Sequence, residues 1–378
     1  MPSTAPTTAP GTFPGTSLGT SPTTAAGAFP AFVSRPALAL GPHTVEAERI
    51  REDILARNPD YPPRQAQTVR LALGNLPGTR RYFQPYEVVS SPERTAAERK
   101  TTTFADLLAA AETAARQALA DADVRPDRVD CVIVSSATGD AVPGLDIHLQ
   151  QRLGLRPDVS RLPMTQLACA GGAHVLIAAR RFLAWDPAAV VLVIAAESLS
   201  ALYQDSQTSV EDQIYKGLWG DLVAAAVVTA EPRTPGLRLD HSFEYTIPHT
   251  TDRYRKLTDD RGDHFASTRA SLRSVTDLGP ALLGWLDRQG GRELDFGVLH
   301  PGGPAILDRL GALLGVDEAF LRHSRDVLTE EGNLGGATVF SVLARTHRTP
   351  PAEGARGLVF GLGPGVALSA LLATWSGS

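Results

Sequence analysis

The chain of 378 residues is long enough for two domain-sized halves with sizeable cores. A formal net charge of −5 and a pI of about 6.0 give no basis for binding nucleic acid or an anionic membrane surface. Only two cysteines are present, Cys131 and Cys169, which excludes a disulfide framework and fits a reducing cytoplasm.

Residues 1–30 are nearly all Thr, Ala, Pro, Gly and Ser, without one charged side chain. They lack the basic and apolar regions of a signal peptide. Too few apolar groups are available to offset chain ordering, so a disordered tail is expected over residues 1–34. No stretch approaches the roughly twenty apolar residues that span a bilayer. A helix is expected over 43–58, then a Pro-rich break at 59–63, and an Ala-rich helix over 104–122. Residues 129–135 read as a buried strand followed by turns at Thr138-Gly139 and Pro143-Gly144. A helix over 171–183 precedes strands at 190–195 and 222–229. The remainder reads as helix 278–287, strand 296–299, helices 305–314 and 334–345, and strands 357–360 and 366–372. Wholly apolar strands between helices require sheets covered on both faces. Two such sheets, with helices between and outside them, make a five-layer αβαβα sandwich.

Two segments share one template: Cys169-Ala170-Gly171-Gly172-Ala173-His174-Val175 and Asn333-Leu334-Gly335-Gly336-Ala337-Thr338-Val339, offset by 164 residues. The strand ending at Ser135 resembles the one ending at His300, offset by 165, and residues 191–197 loosely match 358–363. A common offset suggests duplication, with halves at 35–232 and 233–378. Facing copies would bring Cys169, His300 and Asn333 into one site: a nucleophile, a base or ion-pair partner, and an amide donor.

Cys169 opens a helix, where unpaired N–H groups and the dipole favour a thiolate, so a lowered thiol pKa is expected. Cys131, inside an apolar strand, reads as a structural cysteine. His300 ends a strand before Pro301-Gly302-Gly303-Pro304, a common setting for a reactive group, with a satisfied core histidine as the alternative. No His/Cys/Asp spacing matches a metal site. The turn Gly361-Leu362-Gly363-Pro364-Gly365 lacks the Lys-Ser/Thr end of a phosphate loop and reads as backbone lining the site.

The segments Gln166 to Gly172, Leu299-His300-Pro301-Gly302-Gly303-Pro304-Ala305-Ile306-Leu307 and Gly332-Asn333-Leu334 resemble the active-site motifs of type III polyketide synthases, the chalcone synthase family. Glu197-Ser198, Trp219-Gly220-Asp221 and the 361–365 turn fit in order and spacing. The resemblance runs from residue 35 to the end of the chain and is nearest to the bacterial branch that holds tetrahydroxynaphthalene and germicidin synthases. It implies a thiolase-like fold and a homodimer. It also implies an acyltransferase that loads an acyl-CoA starter on Cys169 and extends it with malonyl-CoA by decarboxylative Claisen condensation. His300 would pair with the thiolate and, with the Asn333 amide, stabilise oxyanions. No cofactor is implied, since CoA thioesters are the substrates and loss of CO2 drives the bond formation.

The same resemblance implies a substrate pocket formed by Trp219 and Phe265 as gatekeeping aromatics, with Ala137, Gly363 and Pro364. Val142 would reach across the dimer. Arg70 and Ala305 would contact CoA, although Gln67 and Gly74 stand where the family has lysines and Arg70 also reads as a solvated helix charge. Ala137 replaces a cavity cysteine of tetrahydroxynaphthalene synthases, implying a route other than their malonyl-only one. Two other readings stay open: a ketoacyl-synthase-III-like enzyme making one condensation, and a catalytically silent partner subunit.

Overall fold

The computed structural model describes residues 30–377. Two wings of sheet repeat one topology. In the first, Cys131–Ser136 runs parallel to Val191–Ser198, which pairs antiparallel with Asp221–Thr229 and then with Ala37–Leu40. In the second, Phe296–Leu299 runs parallel to Arg356–Gly363, followed antiparallel by Ala367–Ser376 and Gly236–Thr246. The first wing carries one further edge strand, Ser160–Thr165, most of whose residues are exposed. The sequence offsets noted above thus correspond to a repeated strand order.

Strand alternation builds the layers. Cys131, Ile133, Val191 and Val193 of the first wing, with Val298 and Val359 of the second, face one cluster with helices Gly171–Trp185 and Thr338–Arg348. The intervening Val132, Val134, Leu192 and Ile194 point the other way, onto helix Ala96–Asp121 through Leu107, Ala111 and Leu119. Leu299, Leu358 and Phe360 likewise turn outward onto helices Ser274–Arg288 and Pro304–Leu314. Period-2 side chains buried on both faces give helix, sheet, helix, sheet, helix, as the apolar strands required.

Several expectations shift. The two wings are joined into a single ten-stranded sheet by Phe32–Val33, which pairs with both Asp221–Thr229 and Gly236–Thr246. The tail boundary at 34 is therefore too late: Ala31 and Val33 are fully buried. Residues 1–29 lie outside the described residues. The expected helix at 43–58 is strand His43–Glu46 followed by helix Ala47–Arg57, because the first four residues pair with Thr79–Tyr82. Helices Pro63–Gly74 and Glu318–Glu330 and the hairpin Tyr254–Asp259/Gly262–Ser267 were not anticipated. No described helix is long and apolar enough to cross a membrane.

Candidate active site

The two Gly-Gly-Ala segments meet where the central helices begin. A Cβ on Gly336 would lie 2.7 Å from the Ala168 carbonyl oxygen and 2.9 Å from the Gly172 nitrogen, and one on Gly172 would collide with the Gly336 carbonyl. Only glycine at both positions lets the helix starts cross this closely. Cys169 sits in the 3₁₀ turn Ala168–Ala170 just before the first of these helices. Gln166 (φ 69°) and Ala168 (φ 45°) both adopt the left-handed region without being glycine. Such conformations cost of order 1–3 kcal/mol each and persist where surrounding structure holds them, often at functional sites.

His300 reaches the same place from the other wing. Its N–H donates to the Phe360 carbonyl at 2.8 Å. The next residue on that strand, Gly361, faces Cys169: an added Cβ there would be 3.1 Å from the Cys169 carbonyl oxygen. Gly363 approaches Leu167 and Ala170 in the same way, and Pro364 follows it, half-buried. Asn333 pairs with the backbone around Trp219, its N–H donating to Leu218 O at 2.7 Å and its carbonyl accepting from Gly220 at 2.9 Å. The amide is oriented because Oδ1 accepts from Gly335 N–H (2.9 Å) while Nδ2 donates to Gly302 O (3.2 Å). One Nδ2 hydrogen has no protein acceptor assigned to it, so it is available to a ligand.

His300 is 2% exposed, yet neither ring nitrogen has a hydrogen-bond partner. A buried polar side chain without a partner is uncommon and points to a group that binds there. Burial pushes its pKa down to about 4, and the nearby Gly335 backbone, which does not reach hydrogen-bonding geometry with either ring nitrogen, acts the other way. The Cys169 thiol goes up to about 12, because burial and the nearby Glu197 carboxylate outweigh its own backbone N–H. The lowered thiol pKa expected from the helix start is therefore not found. The residue is half-buried, and burial of the thiol together with the Glu197 carboxylate opposes ionisation.

Glu197 is the part of the site that residue types alone did not single out. It is fully buried, accepts from Ala137 N–H at 3.1 and 3.3 Å and from Thr138 Oγ1 at 3.2 Å, and its pKa is pushed up to about 8, chiefly by burial. An acidic residue near the end of an otherwise apolar strand was the available signal. Ala137 thus enters the site through its backbone. Trp219 and Phe265 stand edge to face with centroids 6.4 Å apart. Val142, Arg70 and Ala305 lie at the surface, Val142 completely exposed.

The N-terminal domain model of chalcone and stilbene synthases matches residues 83–232, and the C-terminal domain model matches residues 277–374. The chain belongs to the chalcone and stilbene synthase family. It is 31% identical over 92% of its length to 1,3,6,8-tetrahydroxynaphthalene synthase of Streptomyces griseus, covering 93% of that protein. Phloroglucinol synthase of Pseudomonas fluorescens is 32% identical over 70% of this chain and 76% of its own. The structure of germicidin synthase from Streptomyces coelicolor, a type III polyketide synthase, superposes with a TM-score of 0.87 at 32% identity, covering 92% of this chain and all of that one. This member of the family is a type III polyketide synthase, an acyltransferase with the thiolase-like fold.

Proposed function

We propose that Cys169, His300 and Asn333 carry the acyl transfer and condensation steps. Cys169 attacks the thioester of an acyl-CoA starter as His300 takes its proton, and that proton leaves with the CoA thiol. The acyl-Cys169 then meets malonyl-CoA, whose loss of CO2 leaves an enolate on the thioester oxygen. In this reading the free Nδ2–H of Asn333 and the ring N–H of His300 donate to that oxygen, and the hydrogen bonds that orient Asn333 hold its donor in place before charge develops. The enolate carbon attacks the acyl-Cys carbonyl, a C–C bond forms, and Cys169 is released for the next round. Repeated extension and ring closure yield a phenolic or pyrone product. The chemistry closes without metal or redox cofactor, because decarboxylation drives it.

The observation that carries this reading is the His300 ring: buried, both nitrogens unpartnered, and attached through Phe360 and Gly361 to the Cys169 turn. Ala137, Gly363, Pro364, Trp219 and Phe265 are read as the pocket wall, and Arg70 and Ala305 as exposed contacts for CoA. A homodimer is supported by the fully exposed Val142 and by the open edge strand Ser160–Thr165, surfaces that a monomer usually covers. A cytoplasmic location fits two unpaired cysteines. Intact-mass analysis after exposure to acyl-CoA esters tests the proposal. It predicts one acyl adduct, mapped to Cys169; adducts delivered only from an acyl carrier protein would favour the ketoacyl-synthase-III-like reading, and none at all the silent subunit.

A further inference from the structure

Helix Val210–Leu218 opens on a capping box, with Ser209 Oγ accepting from Asp212 N–H at 3.2 Å and the Asp212 carboxylate accepting from Ser209 N–H at 3.0 Å. Its last turn places Tyr215 four residues before Trp219, on the same face. The two rings stack at 5.4 Å with planes 14° apart. Phe265, from the hairpin, stands at right angles to both, 5.0 Å from Tyr215 and 6.4 Å from Trp219. Trp219 leaves the helix in extended conformation and bridges to Asn333, so its backbone is fixed from one side and its ring from the other. Trp219 is buried at 6% exposure, whereas Tyr215 and Phe265 are half-buried. Burial opposes ionisation of the Tyr215 phenol, its hydrogen bond to Ser267 on the same hairpin favours it, and Tyr254 and Cys169 add smaller contributions against it.

We infer that Tyr215 is a specificity-determining residue, the third ring of a wall with Trp219 and Phe265 that limits the bulk of the acyl group Cys169 can carry. The inference rests on the proposed role of Cys169. Tyr215 acts in two ways. Its ring occupies space beside the bridge, and its stacking holds Trp219 in one orientation, so that neither ring can turn aside for a longer chain. A smaller side chain at 215 removes both restraints, while phenylalanine keeps them.

The test compares loading of Cys169 from acetyl-CoA through decanoyl-CoA in the parent, Tyr215→Ala, Tyr215→Leu and Tyr215→Phe, read by intact mass and peptide mapping. Tyr215→Ala and Tyr215→Leu should raise the ratio of decanoyl to acetyl loading efficiency by about tenfold, the scale set by a few methylenes in an apolar pocket. Tyr215→Phe should stay within about twofold of the parent. An unchanged ratio in Tyr215→Ala, or a Tyr215→Phe that behaves like it, would overturn the inference. A second arm uses methyl and benzyl methanethiosulfonate, which report access to Cys169 without catalysis. The smaller variants should favour the benzyl reagent by a similar factor; equal ratios in all proteins would count against the wall even if no CoA ester loads. Absence of acylation with a changed reagent ratio would sink the catalytic assignment and leave the wall standing.

Discussion

Replacing Gly336 by alanine tests whether the crossing of the two central helix starts builds the site. The new methyl would sit 2.7 Å from Ala168 O, 2.9 Å from Gly172 N and 3.2 Å from Gly171 Cα, all backbone atoms. No side chain can rotate away, so the cost falls near the upper end of overpacking, about 3 kcal/mol. Lower entropy of the unfolded chain returns about 0.5–1 kcal/mol. The net loss is about 2 kcal/mol, or about 2–3 °C in melting temperature for a chain of 378 residues. The displaced Ala168 also carries Cys169 with it, and a shift of about 0.5 Å should slow acylation roughly tenfold. Differential scanning calorimetry and stopped-time intact mass supply the two readouts. Gly284→Ala is the control, since its methyl meets nothing closer than an Arg288 side-chain nitrogen at 3.5 Å and lies within a helix, where alanine is favoured. A Gly336→Ala protein with parental melting temperature and parental loading rate would refute the reasoning.

Alkylation of Cys169 by iodoacetamide should keep accelerating as pH rises through 8 to 10, because the thiol pKa is raised to about 12 while His300, lowered to about 4, stays neutral throughout. A plateau across neutral pH would instead reveal a thiolate–imidazolium pair. Glu197→Gln removes a charge that holds the thiol protonated and should speed the same reaction several-fold at pH 9 to 10, above the Glu197 pKa of about 8, with a smaller gain at pH 7 where the carboxyl is mostly neutral. Arg345→Met leaves Glu331 buried without its cation; Arg345 Nη2 and Ser341 Oγ each lie 2.5 Å from that carboxylate. Urea denaturation should show a loss of about 3–5 kcal/mol, largely recovered when Glu331→Gln is added.

The trio was legible in the chain because glycine and polar residues recur at one offset in both halves, and a close backbone crossing demands that pattern. The layers were legible from strands apolar at every position. What escaped has physical reasons. Ser160–Thr165 is an exposed edge strand with Pro163 inside it, so it shows neither alternation nor an apolar run. The hairpin bearing Phe265 is polar on most positions, so its strand pairing and the packing of Tyr254 and Phe265 leave no apolar pattern in the sequence. The thiol acidity was misjudged because a helix start offers a local, favourable term, whereas burial and Glu197 come from tertiary structure that no spacing records. Tyr215 was passed over for Trp219, since a ring one turn earlier on an amphipathic helix looks like core until Phe265 is seen against it.

The most direct measurement incubates the purified protein with malonyl-CoA and a panel of acyl-CoA starters and identifies products by mass spectrometry, beside Cys169→Ala and Asn333→Asp proteins. The account predicts starter-dependent products lengthened by several acetate units, abolished by Cys169→Ala and reduced by about two to three orders of magnitude in Asn333→Asp, where a carboxylate replaces the oxyanion donor. Products that persist in the Cys169→Ala protein, or a single condensation with every starter, would contradict it.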